Sequence, residues 1–293
     1  MKSNSTPLRI AFFGTSEFSV IVLDALKRNN IVPTVIVTAP DKPQGRNLKL
    51  TPPPAKIWAE ANAVPFIQPA TLKTPEFKTA FAEFGCNLSI VAAYGLIIPK
   101  DIIELPKYKT LNIHPSLLPE FRGPSPLQST LLADKRDTGI TIMCIDELVD
   151  HGPIVAQKKV TLPVWPIDYD TFQKFMAEEG AQLLIDTLPA WIAGTIQTTV
   201  QDDNNATFTK KIKKEDGLIS LSGDPHKNFL TIQAFSIWPG TYFFALRSGK
   251  RIRVIIKKAR FENNELVIDR VIPEGKKEMD FQDFLRSATL EQY

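Results

Sequence analysis

Residues 8–39 read LRIAFFGTSEFSVIVLDALKRNNIVPTVIVTA, and their pattern decides the fold. The run LRIAFF (8–13) is short and nearly all apolar, and Gly14 ends it, as expected of a parallel strand buried on both faces. SEFSVIVLDALKR (16–28) then places apolar residues at helical spacing behind Ser16, a residue type suited to the N-cap. VPTVIVTA (32–39) is a second buried strand. Strand, helix and strand in succession predict a doubly wound α/β domain.

The pattern continues along the chain. LSIVAAYG (88–95) and TLNIH (110–114) read as further strands of the same sheet. TGITIMCID (138–146) and GPIVAQKKVTL (152–162) read as a later pair, antiparallel because their connection is short. Residues 169–194 have helical periodicity; Pro189 should kink or restart that helix and Gly194 should stop it. The stretch TIQTTVQDDNNATFT (195–209) is polar and poor in apolar residues, as in a linker. Beyond it, KNFLTIQAF reads as a helix. TYFFAL, KRIRVIIKKARF and ELVIDRVI read as short strands with Gly and Asn turns, predicting a small β-barrel. The expected division is a domain at 1–196, a linker at 197–207 and a second domain at 208–293.

A chain of 293 residues, 43% hydrophobic and 23% charged, is an ordinary globular sequence with material for two cores. It holds no stretch near the ~20 apolar residues of a membrane span, and MKSNSTPLRIAFFG lacks the apolar core of a secretory signal. A cytoplasmic protein without membrane contact is expected. Cys86 and Cys144 form no CxxC pair and read as reduced thiols. With no HExxH and no histidine pair at ligand spacing, no metal is expected. The net charge of +3 is uneven: residues 208–293 carry 16 Lys and Arg against 11 Asp and Glu, a net +5. That bias suits either a solvated basic surface or a module that meets a polyanion.

The first loop, FFGTSEFS, could in principle cradle a dinucleotide. It has only Gly14 where that site needs three glycines, and Glu17 at the helix start repels phosphate. No phosphate-binding GxxxxGK[ST] occurs either. The chemistry lies further along, in LNIHPSLLPEFRGPSPLQ (111–128). Alternation along a strand puts Asn112 and His114 on one face, and Pro115 ends the ladder just beyond them. Asp150, in DELVDHGPI, closes a later loop and is placed to fold back against the imidazole. An amide, an imidazole and a carboxylate suit acyl transfer to an amine without a serine or cysteine nucleophile. The first two can donate to an oxyanion, and the third can orient the ring and help move a proton. A bare Asn-x-His is more often a strand-end histidine that merely bonds a nearby acid, so the three residues alone do not decide the chemistry.

AYGLIIPKDIIELP, LNIHPSLLPEFRGPSPLQ, DTGITIMCID and DHGPI, in this order and spacing, resemble the catalytic core of the folate-dependent formyltransferases. APDKPQGRNLKLTPPPAK (39–56) and the run KIKKEDGLISL … IQAFSIWPGTYF … PEGKKEMDFQDFLR resemble the branch that formylates methionine carried on initiator tRNA. The resemblance implies a Rossmann-like formyltransferase domain followed by a small OB-like β-barrel that helps hold tRNA. It implies 10-formyltetrahydrofolate as donor and initiator methionyl-tRNA as acceptor, with no metal and no obligate protein partner. Asn112, His114 and Asp150 would be the catalytic trio. Ser116, Leu117, Leu118 and Pro119 would contact the reduced folate, and Arg46, with Lys42 and Lys49, would meet the tRNA. This chain departs from the family at 219–221, ISL where an Asp-Trp pair is common, and at His151, where threonine is frequent. The nearest rival is a formyltransferase acting on a nucleotide-linked amino sugar, which shares the core but has less use for the basic loop and C-terminal run.

Overall fold

The computed structural model describes residues 7–44 and 48–290. Its strands are β1 (Ile10–Gly14), β2 (Val35–Val37), β3 (Lys42–Gln44), β4 (Lys49–Thr51), β5 (Phe66–Ile67), β6 (Leu88–Ala92), β7 (Thr110–His114), β8 (Thr138–Cys144), β9 (Ile154–Val160), β10 (Tyr242–Arg247), β11 (Lys250–Glu262), β12 (Glu265–Pro273), β13 (Met279–Asp280) and β14 (Thr289–Leu290). Its helices are α1 (Glu17–Arg28), α2 (Pro54–Ala61), α3 (Pro75–Glu83), α4 (Lys100–Ile103), α5 (Pro126–Leu132), α6 (Tyr169–Ile192), α7 (Pro225–Ala234) and α8 (Phe281–Leu285). None of the described helices is long and apolar enough to cross a membrane. The chain forms two compact units. One takes residues up to 124 with 139–160 and 174–208; the other takes 125–138, 161–173 and everything from 209.

In the first unit a seven-stranded sheet runs β5-β2-β1-β6-β7-β8-β9. From β5 to β7 all neighbours are parallel, and β8 runs antiparallel to β7, so the sheet is mixed. β1, β6 and β7 are buried at every position, as their continuous apolar runs require. Strand order reverses between β1 and β6, the place where such sheets open a crevice. Here that crevice is stapled: Ser19 Oγ accepts from Thr15 N at 2.9 Å and donates to Ala92 O at 2.7 Å. A Cβ on Gly14 would lie 2.5 Å from the Phe12 ring and 2.7 Å from Ser19 Cβ. The glycine therefore serves close strand–helix packing. Ser16 occupies the N-cap of α1 without a side-chain cap bond.

α6 is one continuous helix through Pro189, with no restart there. The proline sits one turn from the end, and its missing N–H leaves one helical bond unmade. Gly194, at φ +69°, then ends the helix, with Gly194 N donating to Trp191 O and Thr195 N to Ala190 O. On its inner face, a Cβ at Gly180 would lie 2.6 Å from Ile113 Cγ2 on β7. Gly180→Ala is expected to cost about 1–3 kcal/mol by overpacking this contact. Urea unfolding measures it, and an unchanged midpoint would mean that α6 does not press on β7.

The second unit holds an antiparallel sheet in the order β13-β12-β11-β10-β14. Phe243, Ala245, Val254, Ile256, Val271 and Phe284 form its core. β11 is bulged between Ile256 and Ala259, which bends so long a strand. Asp224 caps α7 by accepting from His226 N and Lys227 N. α7 packs on α5, and His226 Nε2 lies 2.9 Å from Asp134 Oδ2.

Candidate active site

The site is built from the carboxyl end of β7 outward, wholly within the first unit. Along β7, Leu111 and Ile113 face one way and Asn112 and His114 the other, and all are buried. Asn112 pairs with Val91 of β6 on one side and Met143 of β8 on the other; His114 pairs with Thr141. Thr141 then fixes the turn that follows. Its Oγ1 donates to Ser116 O at 2.7 Å and accepts from Leu118 N at 3.1 Å and Gln157 Nε2 at 2.9 Å. Gln157 Nε2 also donates to Leu118 O, and Ser116 Oγ to Glu120 O at 2.6 Å.

This turn delivers Phe121, at φ +58°, so that its carbonyl stands 3.0 Å from His114 Nε2. A carbonyl only accepts, so Nε2 carries the proton and Nδ1 is the nitrogen that faces the site. Asp150 Oδ1 lies 3.6 Å from His114 Nδ1 and 3.4 Å from Asn112 Nδ2, and Asp150 Oδ2 accepts from Gly123 N at 2.8 Å. Asp150 itself is at φ +48°, in the left-handed region that Asp and Asn tolerate better than most residues. An amide and an imidazole from one strand thus meet a carboxylate 38 positions after the amide. At 17% exposure the carboxylate remains open on one side, while the imidazole is 5% exposed. The arrangement presents the Asn112 amide N–H, His114 Nδ1 and the Asp150 carboxylate to a single small group. Burial pushes the thiols of Cys86 and Cys144 up to about 11, so neither is a thiolate nucleophile at neutral pH.

Of the turn residues, Ser116 and Leu118 are buried and internally bonded, whereas Leu117 and Pro119 are half-buried. In the basic stretch after β2, β3 and β4 pair antiparallel, Lys42 with Thr51 and Gln44 with Lys49, and Lys42 and Lys49 are exposed. Asp41 anchors its base through Gln68 and Lys56, which hold the carboxyl below its ordinary range. Arg46 lies outside the described residues.

Other contributors are invisible to motif reading. Phe121 and Gly123 act through backbone groups, and Gln201 reaches in from the polar stretch. His151, which stands where threonine is frequent, bonds Asp146 Oδ2 at 2.6 Å and lies 3.5 Å from Asp203 Oδ2. Those carboxylates, Asp146 above all, raise its pKa. A raised folded pKa means stability gained below the unfolded value and lost as pH rises through the folded one. The thermal-stability difference between wild type and His151→Gln is therefore expected to be largest in mild acid and to shrink toward alkaline pH. A constant or growing difference would contradict the pairing.

Comparison with known proteins adds a second line. The family model for formyl transferase matches residues 8–188. Methionyl-tRNA formyltransferase of Chloroflexus aggregans is 40% identical over 252 residues, covering 85% of this chain and 79% of its own length. The protein of that name from Desulfotalea psychrophila is 32% identical over 312 aligned residues, covering 99% of this chain and 96% of the relative. Among solved structures, methionyl-tRNA formyltransferase from Clostridium thermocellum shares the fold with a TM-score of 0.61 at 18% identity, covering 94% of this chain and all of that one (100%). With identity running through both units, the chain belongs to the methionyl-tRNA formyltransferase family of formyl transferases.

Proposed function

We propose that this protein transfers the formyl group of 10-formyltetrahydrofolate to the α-amine of methionine esterified to initiator tRNA. The observation that carries the chemistry is the convergence of Asn112 Nδ2 and His114 Nδ1 on Asp150 Oδ1. The amine nitrogen attacks the formyl carbon, and negative charge develops on the formyl oxygen. Asn112 and His114 Nδ1, when protonated, donate to that oxygen. Asp150 accepts a proton from the attacking amine and orients the imidazole. Collapse of the intermediate breaks the bond from carbon to the folate nitrogen, which leaves with a proton. The new carbon–nitrogen bond remains on the methionine. The turn 116–119 would hold the reduced folate, Leu117 and Pro119 by side chain, Ser116 and Leu118 through the backbone around them.

The acceptor reading is supported by identity to tRNA-dependent relatives across the second unit as well as the first. We take the antiparallel sheet there to be an OB-like barrel that, with its net positive charge, helps hold tRNA. Lys42, Lys49 and Arg46 would meet the acceptor end, and the reaction would be cytoplasmic. Formylation should therefore weaken steeply with salt, roughly one unit of logarithmic slope per phosphate contact. Deleting residues 209–293 is a poor test, because α5 loses its packing against α7. Instead, assay formyl transfer to charged initiator tRNA beside a nucleotide-linked amino sugar. Use wild type and a Lys42→Ala/Arg46→Ala/Lys49→Ala variant at two salt concentrations. The expected result is tRNA as the sole acceptor, with the variant weaker on tRNA and less salt-sensitive while folate affinity is unchanged. Transfer to the sugar instead would overturn the acceptor.

A further inference from the structure

Behind Asp150 stands a group that the chemistry above does not use. Gln201 comes from the polar stretch after α6, yet it is 7% exposed. Its Nε2 donates to Asp150 O at 3.0 Å and to Gly152 O at 2.7 Å. Its Oε1 accepts from Arg122 Nε at 3.0 Å and Arg122 Nη2 at 2.9 Å. An amide has two donor hydrogens and two acceptor lone pairs, and here all four are used. The orientation is fixed by chemistry: turned over, the amide would set its oxygen against two carbonyls and its hydrogens against a guanidinium.

Arg122, 3% exposed, is in turn tied to Asp203 Oδ1 at 2.8 Å, and its guanidinium lies 5.9 Å from the Phe208 ring centre. The next residue, Gly123, supplies the N–H that holds Asp150 Oδ2. One end of the clamp thus grips the Asp150 carboxylate and the other its main chain. Asp150 needs the grip. Its left-handed backbone is costly for a residue with a Cβ, and its Oδ1 has only long contacts, 3.4 and 3.6 Å, to Asn112 and His114. Gly152 is equally committed, for a Cβ there would lie 1.9 Å from Cys144 O. The loop 150–152 has no slack of its own to correct a shift.

We propose that Gln201 is a positioning residue for formyl transfer, holding the main chain at Asp150 so that the carboxylate meets His114 and Asn112. The inference rests on the reading of Asp150 as the proton acceptor. Misplacement by about 1 Å costs roughly 10²-fold in a reaction that depends on alignment.

The test uses the full chain. Gln201→Met keeps the volume and removes every bond. Gln201→Glu keeps a partner for Arg122 and removes only the donors to the two carbonyls, so it remains informative if the first fails to fold. Each is made alone and combined with Asp150→Asn, and single-turnover transfer is measured with enzyme in excess. Either variant should lower the transfer rate about 10- to 100-fold, with KM for both substrates within about twofold of wild type. In the Asp150→Asn background the same substitution should cost less than about twofold, because no carboxylate is left to position. A purely structural role would cost the same in both backgrounds and would overturn the proposal, as would a full rate in Gln201→Glu. Full activity of Asp150→Asn alone would overturn the underlying reading of Asp150, a separate and recognisable outcome.

Discussion

Asp150→Asn should lower kcat by about 10³-fold, or about 4 kcal/mol of barrier, while leaving the protein folded. Asparagine is the informative replacement. It tolerates the left-handed backbone at this position and can still accept from Gly123 N through its amide oxygen. What it loses is the negative charge 3.6 Å from His114 Nδ1 and the capacity to take a proton from the attacking amine. Both substrates should bind as before, since the proposed mechanism gives Asp150 a part in the reaction and none in the affinity for either. Steady-state kinetics checks the split: a fall in kcat with KM unchanged agrees, and near-full turnover removes Asp150 from the mechanism.

The second large effect concerns Asn112. In the proposed mechanism Asn112→Ala removes the amide N–H that meets the developing oxyanion, and loss of one such donor costs about 10²–10³ in rate. The geometry limits compensation. His114 Nε2 is spent on Phe121 O, so only Nδ1 is left to stabilise the charge. The cavity left on the buried strand is small, and β7 keeps its ladder with β6 and β8. Circular dichroism and thermal midpoint should stay close to wild type while turnover collapses. A variant that turns over at the wild-type rate would place the oxyanion elsewhere.

How much of this could be read from the chain differs from residue to residue, for physical reasons. Asn112 and His114 were legible because strand alternation is local: a polar pair two apart inside an apolar run must share a face. The parallel core around β1, β2, β6 and β7 was legible because burial on both faces writes itself as an uninterrupted apolar run. Asp150 was legible only as a candidate, since its return to β7 depends on a loop closure that local pattern does not encode. Phe121 and Gly123 were not legible at all, because they act through main-chain groups that every residue possesses. Gln201 was hidden differently. It lies in a polar stretch that composition likens to a linker, and its burial depends on Arg122, 79 positions earlier. The pairing of Lys42–Gln44 with Lys49–Thr51 was masked by proline and charge, which disfavour a strand in isolation.

The central claim is that Asn112 and Asp150 act on one reacting group, and a double-mutant cycle tests it most directly. Single-turnover formyl transfer from 10-formyltetrahydrofolate to methionyl-tRNA should be measured for Asn112→Ala, Asp150→Asn, the double variant and wild type. Residues that act as a unit lose far less together than the product of their separate losses. The double variant is therefore expected to be no more than about tenfold slower than the worse single variant. Losses that multiply, each residue costing as much without the other as with it, would contradict a shared site.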